Sequence, residues 1–259
     1  MKIGFFDSGL GGLTILREVV KVLPQYDYYF FGDTEHLPLG DKTKEEIFEF
    51  TKNGVEYLFE HDCQLVIIAC NTSSADSARA LQQTMLVGKY ADRKILGVIV
   101  PTVEEIINSP ETRFALLGTK HTVESGKYAT ELDKREQREQ ELVAISTPEL
   151  VPLIEAGDYR AAVDCAVKYI ETKAGESEVV VLGCTHYTEI KSALRKHFAN
   201  SKRFISQDEV IPEKIKKYLV AHPEIESVLS REGGRNIHLT KHRADYDLLL
   251  QHFLSGGGA

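Results

Sequence analysis

The chain is short of the features that mark secreted, membrane-spanning or nucleic-acid-binding proteins. Its four cysteines, at positions 63, 70, 165 and 184, are too few and too scattered for a disulfide scaffold. None of them forms a C-x-x-C pair, so no metal is expected. The longest apolar run, Leu65 to Cys70, is far too short to cross a bilayer. The N-terminus has no basic segment leading into a long apolar stretch, so no signal peptide is expected. Basic residues are the minority, 31 against 39 acidic, which gives a net charge of −8 and no basic stripe for nucleic acid. Together these absences predict a cytoplasmic chain with reduced thiols. No arginine occurs in the six residues after Cys70 or Cys184, which argues against cysteine phosphatase chemistry.

What is present suits an ordinary globular protein. The 259 residues are 42% hydrophobic and 27% charged, enough to bury one large core or two small ones. Strand-like runs at Lys2–Phe6, Tyr28–Phe31, Leu65–Ala69, Ile95–Val98, Arg113–Leu117, Leu142–Ile145 and Val179–Leu182 alternate with helical patterns. Thr43 to Glu60 repeats Ile47, Phe50, Val55 and Leu58 at near-helical spacing, and Thr43 with Glu46 reads as a capping box. Thr147 and Pro148 suit the N-cap and first position of a later helix, and the charge run Asp133–Glu141 suits a solvated helix face. Alternation of this kind predicts an α/β fold with parallel sheets covered by helices.

A faint internal repeat refines that expectation. Val66-Ile67-Ile68-Ala69-Cys70-Asn71-Thr72 parallels Val180-Val181-Leu182-Gly183-Cys184-Thr185-His186, and Ile3–Gly12 parallels Phe114–Thr122. Two similar parallel-sheet domains related by pseudo-symmetry are therefore expected. The boundaries predicted are 1–97 plus 208–259 for the first domain and 98–207 for the second.

The repeated cysteines carry the chemistry. Inverting an α-carbon requires one group to take a proton from one face and another to return one to the opposite face. Two thiols at strand ends in facing lobes meet that need, because ligands of open α/β sheets bind at the carboxyl ends of strands. Each of Cys70 and Cys184 precedes a predicted helix, whose N-terminus favours the thiolate. His186 could support a thiolate or donate a proton near Cys184. Asp7 could orient a cysteine or pair with a substrate ammonium, and Asp33 and Glu155 are further carboxylate candidates. Ser8, Asn71, Thr72, Thr119, Thr122 and Thr185 offer polar groups to a small zwitterion, and Gly9, Gly11, Gly12 and Gly40 permit close backbone approach. Each has a plainer reading. A lone cysteine after a buried strand is usually packing, which is where Cys63 and Cys165 are left. Asp7 could be a helix cap, His186 a satisfied core histidine, and Glu155 a solvated residue. A non-catalytic nucleotide- or phosphate-binding module also remains open, with Asp7–Gly12 as the anion loop, although the loop lacks the Walker ending and the dinucleotide spacing.

Seven motifs in order resemble the bacterial glutamate racemase family of the aspartate/glutamate racemase superfamily. They are Asp7-Ser8-Gly9-Leu10-Gly11-Gly12, Gly32-Asp33 with Pro38-Leu39-Gly40, Ala69-Cys70-Asn71-Thr72, Gly97-Val98-Ile99, Leu117-Gly118-Thr119, Leu150 to Glu155, and Gly183-Cys184-Thr185-His186-Tyr187. The resemblance spans nearly the whole chain. It implies a two-domain α/β fold with the active site at the domain interface, and cofactor-independent racemisation of L- and D-glutamate, which would supply D-glutamate for peptidoglycan. It implies Cys70 serving the D-enantiomer and Cys184 the L-enantiomer. Asp7, Ser8, Pro38, Leu39, Gly40, Asn71, Thr72, Thr185 and His186 would line the substrate. It also admits a homodimer. The departures are Leu39 where the family usually has tyrosine, Ser73 for alanine, Val100 in a usual glutamate-proline pair, and Thr188-Glu189 for proline-leucine. They leave aspartate or another amino acid as the alternative substrate.

Overall fold

Parallel strand pairing organises the chain. In the computed structural model, which describes residues 1–39, 42–134, 140–199, 201–242, 246–247 and 250–251, nine strands are seen. They are β1 Lys2–Asp7, β2 Tyr28–Gly32, β3 Cys63–Ile68, β4 Lys94–Gly97, β5 Arg113–Gly118, β6 Glu141–Ser146, β7 Val179–Gly183, β8 Arg203–Ser206 and β9 Arg235–Leu239. The helices between them are α1 Gly12–Val22, α2 Lys44–Glu60, α3 Asn71–Asp76, α4 Ala78–Thr84, α5 Ile99–Ile107, α6 Lys120–Glu124 and α7 Lys127–Asp133. They continue with α8 Leu150–Glu155, α9 Tyr159–Lys173, α10 Lys191–Phe198, α11 Gln207–Ala221 and α12 Pro223–Glu226. No described helix is long and apolar enough to cross a membrane.

The chain divides into two compact units. One is Met1–Val98 together with the stretch from Ile211 onward; the other is Ile99–Val210. The first holds a five-stranded sheet in the order β4-β3-β1-β2-β9, and the second a four-stranded sheet in the order β6-β5-β7-β8. Every pairing is parallel. In the first sheet the chain leaves β1 for β2 on one side and returns to β3 on the other. The second sheet repeats this around β5, with β6 on one side and β7 on the other. Each sheet therefore reverses its strand order once, beside its first strand, and such a reversal opens a crevice at the strand ends.

Burial on both faces explains the continuous apolar character of the central strands. One face of the first sheet sets Ile3, Phe5, Leu65 and Ile67 against Leu13, Leu16 and Val19 of α1 and Ile215 and Leu219 of α11. The other face sets Phe6, Val66 and Ile68 against Val55, Leu58 and Phe59 of α2 and Leu81 of α4. In the second unit Ala115, Leu117, Val180 and Leu182 pack with Ile154, Ala162, Ala166, Ile170 and Leu194. Each fully buried side chain of this kind stabilises by roughly 1.5–3 kcal/mol relative to exposure.

Helix α2 starts as its sequence predicts: the Thr43 hydroxyl accepts from the Glu46 N–H, and the Glu46 carboxylate accepts from the Thr43 N–H. Three local expectations need correction. Thr147 and Pro148 do not open a helix. Thr147 is buried with its hydroxyl donating to the Gly118 carbonyl, and α8 begins only at Leu150. Glu141 starts β6 and is not part of a helix face, while residues 135–139 of that charge run lie outside the described residues. The segment after Cys184, Thr185–Ile190, is a 3₁₀-helix and not an α-helix.

Candidate active site

The strand reversal in the first unit places Cys70 next to Asp7 and Ser8. Phe6 of β1 pairs with Ile68 of β3, and the Ala69 N–H donates to the Phe6 carbonyl at 2.8 Å. Asp7 ends β1, and Cys70 is the N-cap of α3 on the neighbouring strand. The Ser8 hydroxyl donates to Cys70 Sγ at 3.2 Å. Asp7 is fully buried and its Oδ1 accepts from the Gly9 N–H at 2.9 Å. A side chain at Gly12 would meet Asp7 Cβ at 2.8 Å and Asp7 Oδ2 at 3.0 Å, so only glycine lets α1 begin this close to the carboxylate.

The neighbouring strand end brings in a second carboxylate. Asp33 follows β2, is buried, and its two oxygens lie 2.8 and 2.9 Å from His36 Nδ1. The Thr240 hydroxyl donates to it at 3.1 Å. The His36 ring stacks on Phe50 with centroids 3.8 Å apart. Beyond it the Leu37–Pro38 peptide is cis and Pro38 is exposed, while Leu39 is buried and packs against Cys70 and Ile47. Gly40, expected to contact substrate, lies outside the described residues. Asn71 and Thr72 are buried in the first turn of α3.

The electrostatics of Cys70 reverse one expectation from the sequence. Its thiol is pushed above the ordinary cysteine range, first by burial and then by the Asp7 carboxylate. The Ser73 N–H and the hydroxyls of Ser8 and Ser73 act in the opposite direction and do not outweigh them. The six residues of α3 supply too little helix dipole to offset loss of water plus a neighbouring anion.

The second unit builds its own version of the site. Gly118 of β5 pairs with Gly183 of β7, so Thr119 and Cys184 stand at adjacent strand ends. A side chain at Gly183 would come within 2.6 Å of Leu116 Cδ1, so packing there excludes one. Thr119 caps α6 by accepting from the Thr122 N–H at 3.2 Å, and its hydroxyl donates to Thr122 Oγ1 at 3.0 Å. Cys184 Sγ lies 3.8 Å from His186 Nδ1, and His186 Nε2 lies 3.2 Å from Glu155 Oε1. Burial acts to lower the His186 pKa, but contact with Cys184 and Glu155 raises it well above the ordinary histidine range. His186 therefore lies between a sulfur and a carboxylate, both of which favour its protonated form. Thr185 is buried beside it.

Sequence reasoning missed two tyrosines and a glutamine in this unit. Tyr187 is fully buried with its hydroxyl 2.7 Å from Thr147 Oγ1. Burial and then the charge of Cys184 raise its pKa. Tyr128 is also buried and feels the same sulfur; Gln207 Nε2 donates to its hydroxyl at 3.2 Å and to Thr102 Oγ1 at 3.3 Å. Tyr187 sits inside the second cysteine motif and could have been weighed there. Tyr128 and Gln207 come from distant segments and had no local signal. Cys63 and Cys165 stand in packing positions, Cys63 buried at the start of β3 and Cys165 against the second core.

His238 and His242 stand four residues apart, but His238 belongs to β9 and not to a helix face. Among the described residues no three His, Cys, Asp or Glu side chains converge to hold a metal ion.

Comparison with known proteins gives the chain a family. The family described as Asp/Glu/Hydantoin racemase matches residues 35–211. Glutamate racemase from Phenylobacterium zucineum (strain HLK1) is 33% identical over 279 residues, covering 99% of this chain and 98% of the relative. Glutamate racemase from Listeria monocytogenes serotype 4a (strain HCC23) is 32% identical over 229 residues, covering 87% and 84%. The crystal structure of glutamate racemase from Thermus thermophilus, in complex with beta-chloro-D-alanine, superposes with a TM-score of 0.81 at 28% identity, covering 96% of this chain and 91% of that one. The chain belongs to the Asp/Glu/hydantoin racemase family and groups with its glutamate racemases.

Proposed function

We propose that this protein interconverts L- and D-glutamate by direct proton transfer at the α-carbon, with Cys70 and Cys184 as the two bases. The observation that carries the reading is the repeated placement of one cysteine at the strand reversal of each unit, each with its own polar partners. For D-glutamate, the Cys70 thiolate takes the α-proton, and the Cys184 thiol returns a proton to the opposite face. For L-glutamate the roles exchange. Each turnover therefore moves the thiolate from one sulfur to the other and leaves the total proton count unchanged.

The flanking groups divide the supporting work. Asp7 and Ser8 orient the Cys70 sulfur and keep its proton placed. The Glu155–His186 pair supplies positive charge where the Cys184 thiolate must form, which is electrostatic stabilisation of the charged intermediate state. Asn71, Thr72, Thr119, Thr122 and Thr185 are the proposed holders of the substrate's carboxylates and ammonium. Pro38, Leu39 and Gly40 are proposed to line it. Held by hydroxyls, amides and backbone N–H groups, an acidic substrate needs no arginine clamp in an acidic protein. By the same reading the product serves as D-glutamate for peptidoglycan.

The test is a racemisation assay on L- and D-glutamate without added cofactor, followed by circular dichroism, with L-aspartate as the competing substrate. Wild-type protein is expected to racemise glutamate and to wash solvent deuterium into the α-position. Cys70→Ser and Cys184→Ser are expected to lose full racemisation by at least about 10³-fold, as removal of an essential acid-base group does. Unchanged turnover in both variants would rule the mechanism out.

A further inference from the structure

Ser73 stands out as a fully buried hydroxyl with no hydrogen-bond partner of normal geometry among the described residues. A buried hydroxyl left unpaired typically costs about 1–3 kcal/mol. Its position explains what it is for. Ser73 is the third residue of α3, the helix that Cys70 caps, so both its N–H and its side chain belong to the first turn after the sulfur-bearing residue. The charged group bearing on Cys70 is the Asp7 carboxylate, and the side chains packed on it are the apolar Leu39 and Ile47. The Ser8 hydroxyl already donates to Sγ. While Cys70 carries its proton the sulfur is a weak acceptor, and a second donor gains little. Once the proton leaves, the sulfur is an anion beside another anion, and a donor with no competing acceptor becomes valuable.

We infer that Ser73 is a positioning residue for the racemisation reaction, a second hydroxyl donor held in reserve for the Cys70 thiolate. The inference rests on the two-thiol reading above and deepens it. Ser73 offsets on the thiolate side part of what Asp7 and burial cost, and the offset is absent on the thiol side. Such an interaction strengthens as charge develops, so it accelerates proton abstraction without tightening substrate binding. The pull of the Ser73 hydroxyl and N–H on the Cys70 titration has the matching direction.

Ser77, one helical turn further on, provides the control. Its hydroxyl is also fully buried and also without a hydrogen-bond partner among the described residues, but it stands at the opposite end of α3 from Cys70. The experiment compares Ser73→Ala and Ser77→Ala with the wild type in three measurements. The first is kcat and KM for D-glutamate. The second is the rate of Cys70 alkylation by iodoacetamide against pH, read peptide by peptide in the mass spectrometer. The third is Tm.

For Ser73→Ala we expect kcat lower by about three- to tenfold, the scale of one hydrogen bond to a charged group. KM should be unchanged. The Cys70 alkylation profile should move to higher pH, and Tm should be equal or higher because no resting-state bond is lost. Ser77→Ala should match the wild type in kcat and in the alkylation profile. The inference is overturned if Ser73→Ala leaves kcat and the alkylation profile unchanged, if it lowers Tm with kcat intact, or if Ser77→Ala moves the profile equally. A fully active Cys70→Ser protein would instead defeat the two-thiol reading itself, which separates the two failures.

Discussion

Asp7 bears on Cys70, whereas His186, backed by Glu155, stands beside Cys184, so the two thiols have different ionisable partners. That asymmetry fixes a prediction at the scale of single residues. His186 carries a folded-state pKa raised by Cys184 and Glu155 against the opposing effect of burial. A raised value means that the folded protein binds the proton more tightly than the unfolded chain. The resulting stabilisation is complete below the unfolded value near 6.5 and is lost as pH rises through the raised folded value. Glu155→Gln removes the carboxylate 3.2 Å from Nε2. The His186 ring should then titrate at lower pH by nuclear magnetic resonance, and the decline in stability above pH ~6.5 should become shallower in urea unfolding. Racemisation should fall by roughly 10²-fold, the lower end for loss of acid-base support. A His186 titration that does not move on this substitution would contradict the pairing. The residues involved were only partly legible in the sequence. Cys70, Cys184, Asp7 and His186 stand out because each lies at or just beyond a strand end and sits in a repeated motif. Tyr128 and Gln207 do not, because the contact between them joins segments 79 residues apart.

Elements were easier to read where both periodicity and burial were strong. The apolar runs of β1, β2, β3, β5 and β7 are buried on both faces and announce themselves as continuous hydrophobic stretches. Two strands gave no such signal. Strand β8 has only four residues, and β9 interleaves Arg235, Asn236 and His238 with Ile237 and Leu239 at the edge of its sheet. An edge strand exposes much of its surface and so carries a weak apolar pattern. What holds β9 in place is partly aromatic. Its His238 ring lies nearly parallel to Tyr57 at 4.6 Å, and Tyr57 also stacks on His61 at 3.9 Å. Burial and the neighbouring His61 lower the His238 pKa. A lowered value in a base means that the unfolded chain binds the proton more readily. This contribution is present above pH ~6.5 and is lost as pH falls through the depressed folded value. Amide exchange of β9, corrected for intrinsic rates, should therefore accelerate by about threefold or more between about pH 7.5 and pH 5 relative to β1. In His238→Phe, which keeps the stack and removes the proton site, that extra acceleration should vanish. Equal acceleration in the variant would show that β9 owes its pH response to another group.

At the scale of the whole molecule, the route of the chain matters more than any single contact. The unit Ile99–Val210 is one uninterrupted segment with its own four-stranded sheet and its own core. The other unit is assembled from two segments, and its core depends on both. Ile211, Ile215, Leu219, Ile225 and Leu229 from the returning segment are buried against Ile3, Phe5, Leu16 and Val19. A chain cut after Val98 would expose that apolar surface and would also leave β2 without β9 as its neighbour. The expected outcome is asymmetric. The isolated fragment 99–210 should fold, with a cooperative urea transition and a slope in proportion to its size, because segments of this length routinely form domains. The isolated fragment 1–98 should show no cooperative transition. Neither fragment should racemise glutamate, since each carries only one of the two proposed catalytic thiols. A folded 1–98 fragment would mean that the strands and helices of the first segment are sufficient without the returning chain. An unfolded 99–210 fragment would mean that its core, although continuous in sequence, depends on support from outside it.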